Sequence, residues 1–222
     1  MVLSGDPSTR TDTLRTVLGA SYVQPADRRR VDGLLSDFRI SVGRGLLTVP
    51  AGLQLGRPFS ADGPSGGQYS FRLPAENTAC TDPTLSALQG VRDAWIPLPD
   101  TLRIGREWSD TLRAVTCRDR IVLRVTAVLR FRVQRAAADS AGRVVVSIVR
   151  SSKGHLAGAG DQFGEAVSIE GESEGTVVYA FDPAAGRLIH AEGKTSLSFT
   201  LTSRRRTQAA RQESQVSITW LP

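Results

Sequence analysis

The feature that most constrains this chain is an alternation of side-chain types along residues 121–133. Every odd-numbered residue there is apolar, and Arg124, Thr126, Arg130 and Arg132 lie between them. A period of two predicts a β-strand with one buried face and one wet face. A strand of this length spans about 40 Å, which is long. Long antiparallel strands with one wet face favour a curved sheet or an open barrel.

Shorter alternations extend the same pattern through the second half of the chain. The sequence Asp-Pro-Ala-Ala-Gly at residues 182–186 is a strong turn signal, because proline presets one backbone angle and glycine accepts a positive φ. A second hairpin is expected over residues 203–215. Residues 97–222 are therefore predicted to form an antiparallel meander of about six strands. The shorter alternating sets are Val144, Val146 and Ile148; Val177, Tyr179 and Phe181; Leu197, Phe199 and Leu201; and Val216, Ile218 and Trp220.

The first half of the chain, residues 1–96, is predicted to add short strands and two amphipathic helices. One helix begins at Asp27, a good capping residue, and runs to about Phe38. The other begins at Asp82-Pro83 and ends before Pro97. The expected fold class is α+β and β-dominated: a curved antiparallel sheet or open half-barrel with the two helices packed on it, in one continuous domain. The short strands are expected at residues 13–23, 39–42, 46–49 and 69–73, and the apolar helix positions are Val31, Leu34, Leu35 and Phe38, then Leu85, Leu88, Val91 and Trp95.

Composition narrows the class of protein. The chain has 222 residues, a formal net charge of +6, 40% hydrophobic residues and 23% charged residues, as folded soluble proteins do. No run reaches the roughly 18 apolar residues of a membrane-spanning helix. Lys153 and Lys194 are the only lysines, so arginine carries almost all of the positive charge. Because the arginines are mostly spread along the chain and interleaved with acids, nucleic acid is not expected as a partner.

The two cysteines, Cys80 and Cys117, bear on the compartment. Neither lies in a Cys-x-x-Cys pair or near a histidine, so no zinc site is expected. They form either a structural disulfide or two buried free thiols, and their polar neighbours favour the disulfide. Such a bridge stabilises a fold by roughly 4 kcal/mol in the chain-entropy model and implies an extracytoplasmic location. The first residues have no signal-peptide pattern, so either the chain is cytoplasmic or a signal segment has been removed from it.

Two short phrases of sequence point to a family. Residues 97–108 carry Leu-Pro followed by Ile-Gly-x-x-Trp, and residues 175–188 carry Gly-x-x-x-Tyr-x-Phe-Asp followed by Gly-x-Leu. Over about residues 83–222 the chain thereby resembles a family of uncharacterised, secreted or lipoprotein-type bacterial β-rich proteins. Gly105-Arg106 departs from that family's usual Gly-Asp. The resemblance implies an exported protein and carries over no catalytic residue.

Catalytic chemistry finds little support in the sequence. Only His155 and His190 can serve as a base for a nucleophile, and no Gly-x-Ser-x-Gly motif occurs near a predicted strand-to-helix turn. The glycine-rich residues 154–160 lack the ending of a phosphate-binding loop and are expected to form a flexible loop. The acids of residues 165–174 do not have the spacing of a calcium-binding loop. The chain is therefore predicted to be non-enzymatic, with no catalytic residue, metal or cofactor; a hydrolase using two carboxylates distant in sequence is the remaining enzymatic alternative.

Two sets of residues are candidates for binding. The first would line a concave, apolar site like that of the half-barrels of lipoprotein carriers, and the alternative is that it forms an ordinary core. The second would contact anions such as lipid head groups, and the alternative is a solvated face and a charged edge that blocks aggregation. The function expected is a cell-envelope module that binds a lipid or envelope protein, or else a structural or protein-interaction domain. The lining candidates are Leu123, Val125, Leu129, Phe131, Tyr179, Phe181, Leu197 and Phe199, and the anion-contact candidates are Arg124, Arg130, Arg132, Arg204, Arg205 and Arg206.

Overall fold

The chain forms two antiparallel β-sheets in the computed structural model. The structure describes residues 14–23, 30–42, 45–53, 55–56, 58–62, 70–72, 96, 98–99, 101–118, 121–140, 142–162, 164–185 and 187–219. The first sheet contains β1 (Leu14–Val23), β2 (Arg30–Val42), β3 (Pro58–Asp62) and β4 (Ser70–Arg72). The second contains β5 (Glu107–Arg118), β6 (Ile121–Ala138), β7 (Val144–Gln162), β8 (Glu165–Asp182), β9 (Arg187–Ser203) and β10 (Thr207–Thr219).

The first sheet corrects the prediction of a helix ending near Phe38, because these residues form β2. Residue Gly19 of β1 faces Asp37 and Ala20 faces Leu35, so Ser36 is an extra residue in a β-bulge. A bulge adds one residue to the period of two, which places Leu35 and Phe38 in the buried part of the strand at a spacing of three. That spacing imitates a helical stripe. Leu34, by contrast, is 47% exposed while Leu35 is 0% exposed, as expected for neighbours on opposite faces of a strand.

The α+β class is therefore wrong for the part of the chain that the structure describes, which contains no helix. The second predicted helix, over residues 82–95, lies outside the described residues. Of the strand predicted at residues 46–49, only an isolated bridge at Thr48 forms. The predictions of strands near residues 13–23 and 69–73 are confirmed over the described residues by β1 (Leu14–Val23) and β4 (Ser70–Arg72).

The second sheet is the predicted six-stranded meander, with each strand hydrogen-bonded to the next in chain order. Its connections are short. In the turn after β8, one carboxylate oxygen of buried Asp182 accepts hydrogen bonds from the backbone N–H groups of Ala184 and Ala185, each at 3.0 Å. The turn after β9 is also tight, since the N–H of Ser203 donates to the carbonyl oxygen of Arg206 at 2.9 Å. The hairpin predicted over residues 203–215 is consequently too long, because β10 already begins at Thr207.

The central strands of this sheet are very long. β6 and β8 have 18 residues each and β7 has 19, so each extends over roughly 60 Å of strand path. The predicted flexible loop at residues 154–160 is wrong, because these residues belong to β7. They pair with β6 and β8 on either side. Ladder hydrogen bonds with both neighbours outweigh the low strand propensity of glycine.

Glycines allow the long strands to coil tightly. A Cβ on Gly171 would lie 2.6 Å from the backbone oxygen of Ser198, and one on Gly193 would lie 2.5 Å from the backbone oxygen of Thr176. Any other residue would push β8 and β9 apart at these points. The resulting curvature brings the two edge strands towards each other, since Nη1 of Arg118 in β5 lies 3.5 Å from Oε1 of Gln212 in β10.

Candidate functional site

The concave face of the curved sheet contains all eight lining candidates. The strand register places them on one face. Phe131 is opposite Arg150, which is opposite Val177. Leu123 and Val125 are two residues apart in β6 and therefore point to the same face. Five of the eight are no more than 6% exposed, and the other three are half-buried. The five most buried are Leu123, Phe131, Tyr179, Phe181 and Phe199.

These side chains do not form one continuous lining, because they divide into two clusters. We call the first the upper cluster; it is built around Phe131, Tyr179 and Phe181 with Ile96 from the segment before β5. Trp108 stacks on Phe131 with ring centroids 5.2 Å apart and planes 7° from parallel. We call the second the lower cluster; its buried members are Ile121, Leu123, Leu156, Val167, Ile169 and Phe199.

A belt of small and polar residues separates the two clusters. Ser152, Gly175 and Thr195 face one another across β7, β8 and β9, and Gly154 faces Ser173 beside them. The hydroxyl of Ser152 donates to the carbonyl oxygen of Gly175 at 3.4 Å. The inner face therefore alternates from apolar to polar to apolar along the strands. That the eight candidates line an apolar site stays a prediction. These side chains pack within the two clusters, so a ligand would have to separate them in order to bind between them.

Two arginines on the inner face were missed by the sequence reasoning. The guanidinium carbon of Arg150 lies 5.6 Å from the ring centroid of Tyr179 at the side of the upper cluster. That of Arg118 lies 4.1 Å from the ring centroid of Phe199 in the lower cluster. Cation–π contacts of this kind contribute about 0.5–2 kcal/mol. A signal was present for Arg150, because it continues the inward series Val146 and Ile148 by two residues.

The outer face of β5 and β6 carries arginines mixed with exposed valines, and we call it the arginine–valine face. Arg124, Arg130 and Arg132 are exposed there, as predicted from the alternation. Val122 and Val128 on the same face are 43% and 44% exposed. Arg113 of β5 joins them because it lies opposite Thr126. The arginine–valine face thus consists of Arg113, Val122, Arg124, Val128, Arg130 and Arg132.

Few acids neutralise the arginine–valine face. Glu107 lies directly opposite Arg132, with Nε and Oε1 3.6 Å apart. Within the described ranges, neither Arg124 nor Arg130 has a carboxylate within ion-pair distance. An exposed pair such as Arg132–Glu107 contributes about 0–1 kcal/mol. The face therefore keeps a surplus of positive charge over a row that extends about 27 Å from Arg124 to Arg132.

The remaining anion-contact candidates form a separate group. Arg204, Arg205 and Arg206 are exposed in the turn between β9 and β10. The N–H of Arg205 donates to the hydroxyl of Ser203 at 3.3 Å, which shapes the turn. In a meander this turn lies at the end of the sheet where β6 begins, four strands away from β6 in the strand order. The structure does not bring these three arginines into one cluster with Arg130 and Arg132.

Acids and histidines lie elsewhere on the outer face. Glu170, Glu172 and Glu174 alternate along β8, and Nε2 of His155 is 3.3 Å from Oε1 of Glu170. Nε2 of His190 is 3.1 Å from Oε1 of Glu192. Among the residues that the structure describes, no group of three or more histidine, cysteine or acidic side chains could hold a metal ion.

The cysteines are described only in part. Cys117 lies near the end of β5 and is disulfide-bonded. Cys80 lies outside the described residues, so its pairing with Cys117 stays a prediction.

Comparisons with family models, with curated proteins and with solved structures find no match for this chain. The described residues include no helix that is long and apolar enough to cross a membrane.

Proposed function

We propose that this protein is a non-enzymatic module of the cell envelope that binds anionic membrane surfaces through the arginine–valine face. The observation that carries the proposal is the mixture of exposed cations and exposed valines on one face of two adjacent strands. An extracytoplasmic location is part of the proposal, and it is supported by the predicted disulfide and by the resemblance to exported proteins.

The chemistry of the face suits a lipid interface. Guanidinium groups form paired hydrogen bonds with phosphate, and each basic residue near an anionic surface contributes about 1 kcal/mol of attraction. Valines between the arginines can enter the boundary between head groups and acyl chains, as the apolar side of an interfacial element does.

The rest of the molecule supports a surface rather than an internal site. The five most buried lining candidates are packed within the two clusters, and the belt between the clusters is polar. Binding at the outer face requires no opening of this core.

The test is a vesicle-binding assay with Arg124→Gln/Arg130→Gln. Removing two cations should weaken binding to phosphatidylglycerol vesicles by about 2 kcal/mol, which is roughly 30-fold. Binding should also fall as salt is added. The matched control is Arg204→Gln/Arg205→Gln, which removes the same charge from the turn after β9 and should retain most of the binding.

Three results would contradict this proposal. They are equal binding to phosphatidylcholine vesicles, no binding to phosphatidylglycerol vesicles, and a larger loss from the turn variant than from the β6 variant. If the turn variant is the weaker binder, the anion-contact site is the turn and not the arginine–valine face.

A second function, binding of an apolar ligand at the concave face, is favoured by one observation. All eight lining candidates share that face, and Arg150 places a positive charge beside them for an acidic head group. Mass spectrometry of lipids that co-purify with the protein tests this function. Protein free of lipid, together with no response to a fluorescent fatty-acid probe, would exclude it.

A further inference from the structure

β10 forms one edge of the six-stranded sheet in the part of the chain that the structure describes. Its residues Thr207 and 209–215 are exposed. One row of its backbone hydrogen-bonding groups points away from β9, and such an edge is a ready template for another strand. The edge is not blunted by proline, and its described connection to β5 is the side-chain contact between Arg118 and Gln212.

The charges on β10 have a self-complementary arrangement. Arg211 and Glu213 lie on the same face, two residues apart, with Nη2 and Oε1 separated by 3.2 Å. Their side chains are 65% and 75% exposed. If two copies of β10 pair in antiparallel fashion about a two-fold axis at Gln212, Arg211 of each copy faces Glu213 of the other. Opposite charges directly across an antiparallel pair stabilise it, whereas like charges destabilise it.

The neighbouring pairs in this register are also compatible. Ala210 faces Ser214 of the second copy, and Ala209 faces Gln215, so no like charges meet along the described exposed part of the strand. A two-fold axis perpendicular to the sheet leaves each side chain on the same face of the combined sheet, so facing residues of the two copies point to the same side.

The other edge of the sheet does not share this property. Pairing two copies of β5 so that Arg113 faces Glu107 requires a two-fold axis at Asp110, because Asp110 lies midway between these two residues in the strand. Asp110 would then face Asp110 of the second copy, and two carboxylates would meet directly. The contrast selects β10 as the self-pairing edge.

We propose that two copies of this chain associate through β10, in antiparallel register centred on Gln212, to form a continuous twelve-stranded sheet. The interface is isologous, so each Arg211–Glu213 contact occurs twice. The partner is a second copy of this chain, and the association does not depend on membrane binding.

The experiment measures mass by sedimentation velocity with charge-reversal variants. The unmodified protein should dimerise, and Arg211→Glu or Glu213→Arg should each raise the dissociation constant about tenfold or more, because two attractive contacts become repulsive. An equimolar mixture of the two variants should restore the dimer, since glutamates of one chain then face arginines of the other. The double variant Arg211→Glu/Glu213→Arg should dimerise by itself.

Restoration by mixing is the decisive outcome, because a change within one chain cannot produce it. Circular dichroism of each variant checks that the β signal is retained; if one variant does not fold, the double variant, which keeps the pair within the chain, takes its place. The proposal is overturned if the unmodified protein stays monomeric up to about 100 μM. Two other results would overturn it as well: a dissociation constant that neither single charge reversal changes, and single variants that stay monomeric when they are mixed.

Discussion

Replacing Gly171 by alanine tests whether glycines set the curvature of the six-stranded sheet. The new Cβ would lie 2.6 Å from Cβ of Phe199 and 2.6 Å from the backbone oxygen of Ser198. Backbone cannot move aside as a flexible side chain can, so β8 and β9 must separate locally. Overpacking of this kind costs about 1–3 kcal/mol. Alanine recovers about 0.5–1 kcal/mol by restricting the unfolded chain, which leaves a net loss of up to about 2.5 kcal/mol relative to the unmodified protein.

The matched control is Gly160→Ala on the neighbouring strand. Its new Cβ would meet the side chain of Ile121 at 3.3 Å, and the next nearest atoms are 3.7 Å away. A small rotation of the isoleucine accommodates it, so we expect no loss of stability. For a chain of this size each kcal/mol shifts the melting temperature by about 2–4 °C. Because both variants share the gain from restricting the unfolded chain, the overpacking cost of about 1–3 kcal/mol separates them, and Gly171→Ala should melt about 2–12 °C below Gly160→Ala in thermal unfolding followed by circular dichroism.

The comparison has a clear negative result. If the two variants unfold at the same temperature and at the same denaturant concentration, the close approach of β8 to β9 at Gly171 does not limit the fold. The curvature would then need another cause than the glycines.

The remaining predictions concern the core, a turn and the cysteines. Phe131→Ala should lower the free energy of unfolding by about 3–5 kcal/mol because Phe131 is buried against Trp108, whereas Val128→Ala on the outer face should change it far less; equal losses in urea unfolding would argue against the upper cluster as a core. Asp182→Ala should cost about 1–3 kcal/mol, since two backbone N–H groups lose their acceptor, and Asp182→Asn should recover part of that loss; an unchanged denaturation midpoint for Asp182→Ala would refute this role. Thiol titration of the unfolded, unreduced protein should find no free thiol if Cys80 and Cys117 are paired, and reduction should lower the melting temperature while the β signal remains; two titrating thiols would disprove the pairing and favour a cytoplasmic location.

Several features of the fold were predictable from the sequence because they depend on local periodicity. The alternation of residues 121–133 predicted β6 and its buried face, and the same rule placed all eight lining candidates on one face. Turn chemistry was equally local, as Asp182 and the following proline showed. The helix predicted to end at Phe38 failed because the bulge at Ser36 gave a strand the spacing of a helix.

The candidate sites were predictable only in part. The exposure of Arg124, Arg130 and Arg132 follows from alternation alone. Their distance from the turn at Arg204 depends on strand order, which no local pattern contains. The period of two places Arg150 on the inner face, but the aromatic rings beside Arg118 and Arg150 belong to other strands, so these contacts depend on the assembled sheet.

By itself the sequence determined that the alternating apolar side chains of each strand in the second half share one face, because successive residues of any strand point to opposite faces whatever the strand pairs with. Tertiary structure alone decided that residues 154–160 are strand, because the hydrogen bonds that hold these glycines come from β6 and β8. It alone also divided the inner face into two clusters, since Ser152, Gly175 and Thr195 are 20 or more residues apart along the chain and meet only through register. Periodicity is a property of one strand, whereas register, curvature and the contacts between distant strands belong to the assembled sheet.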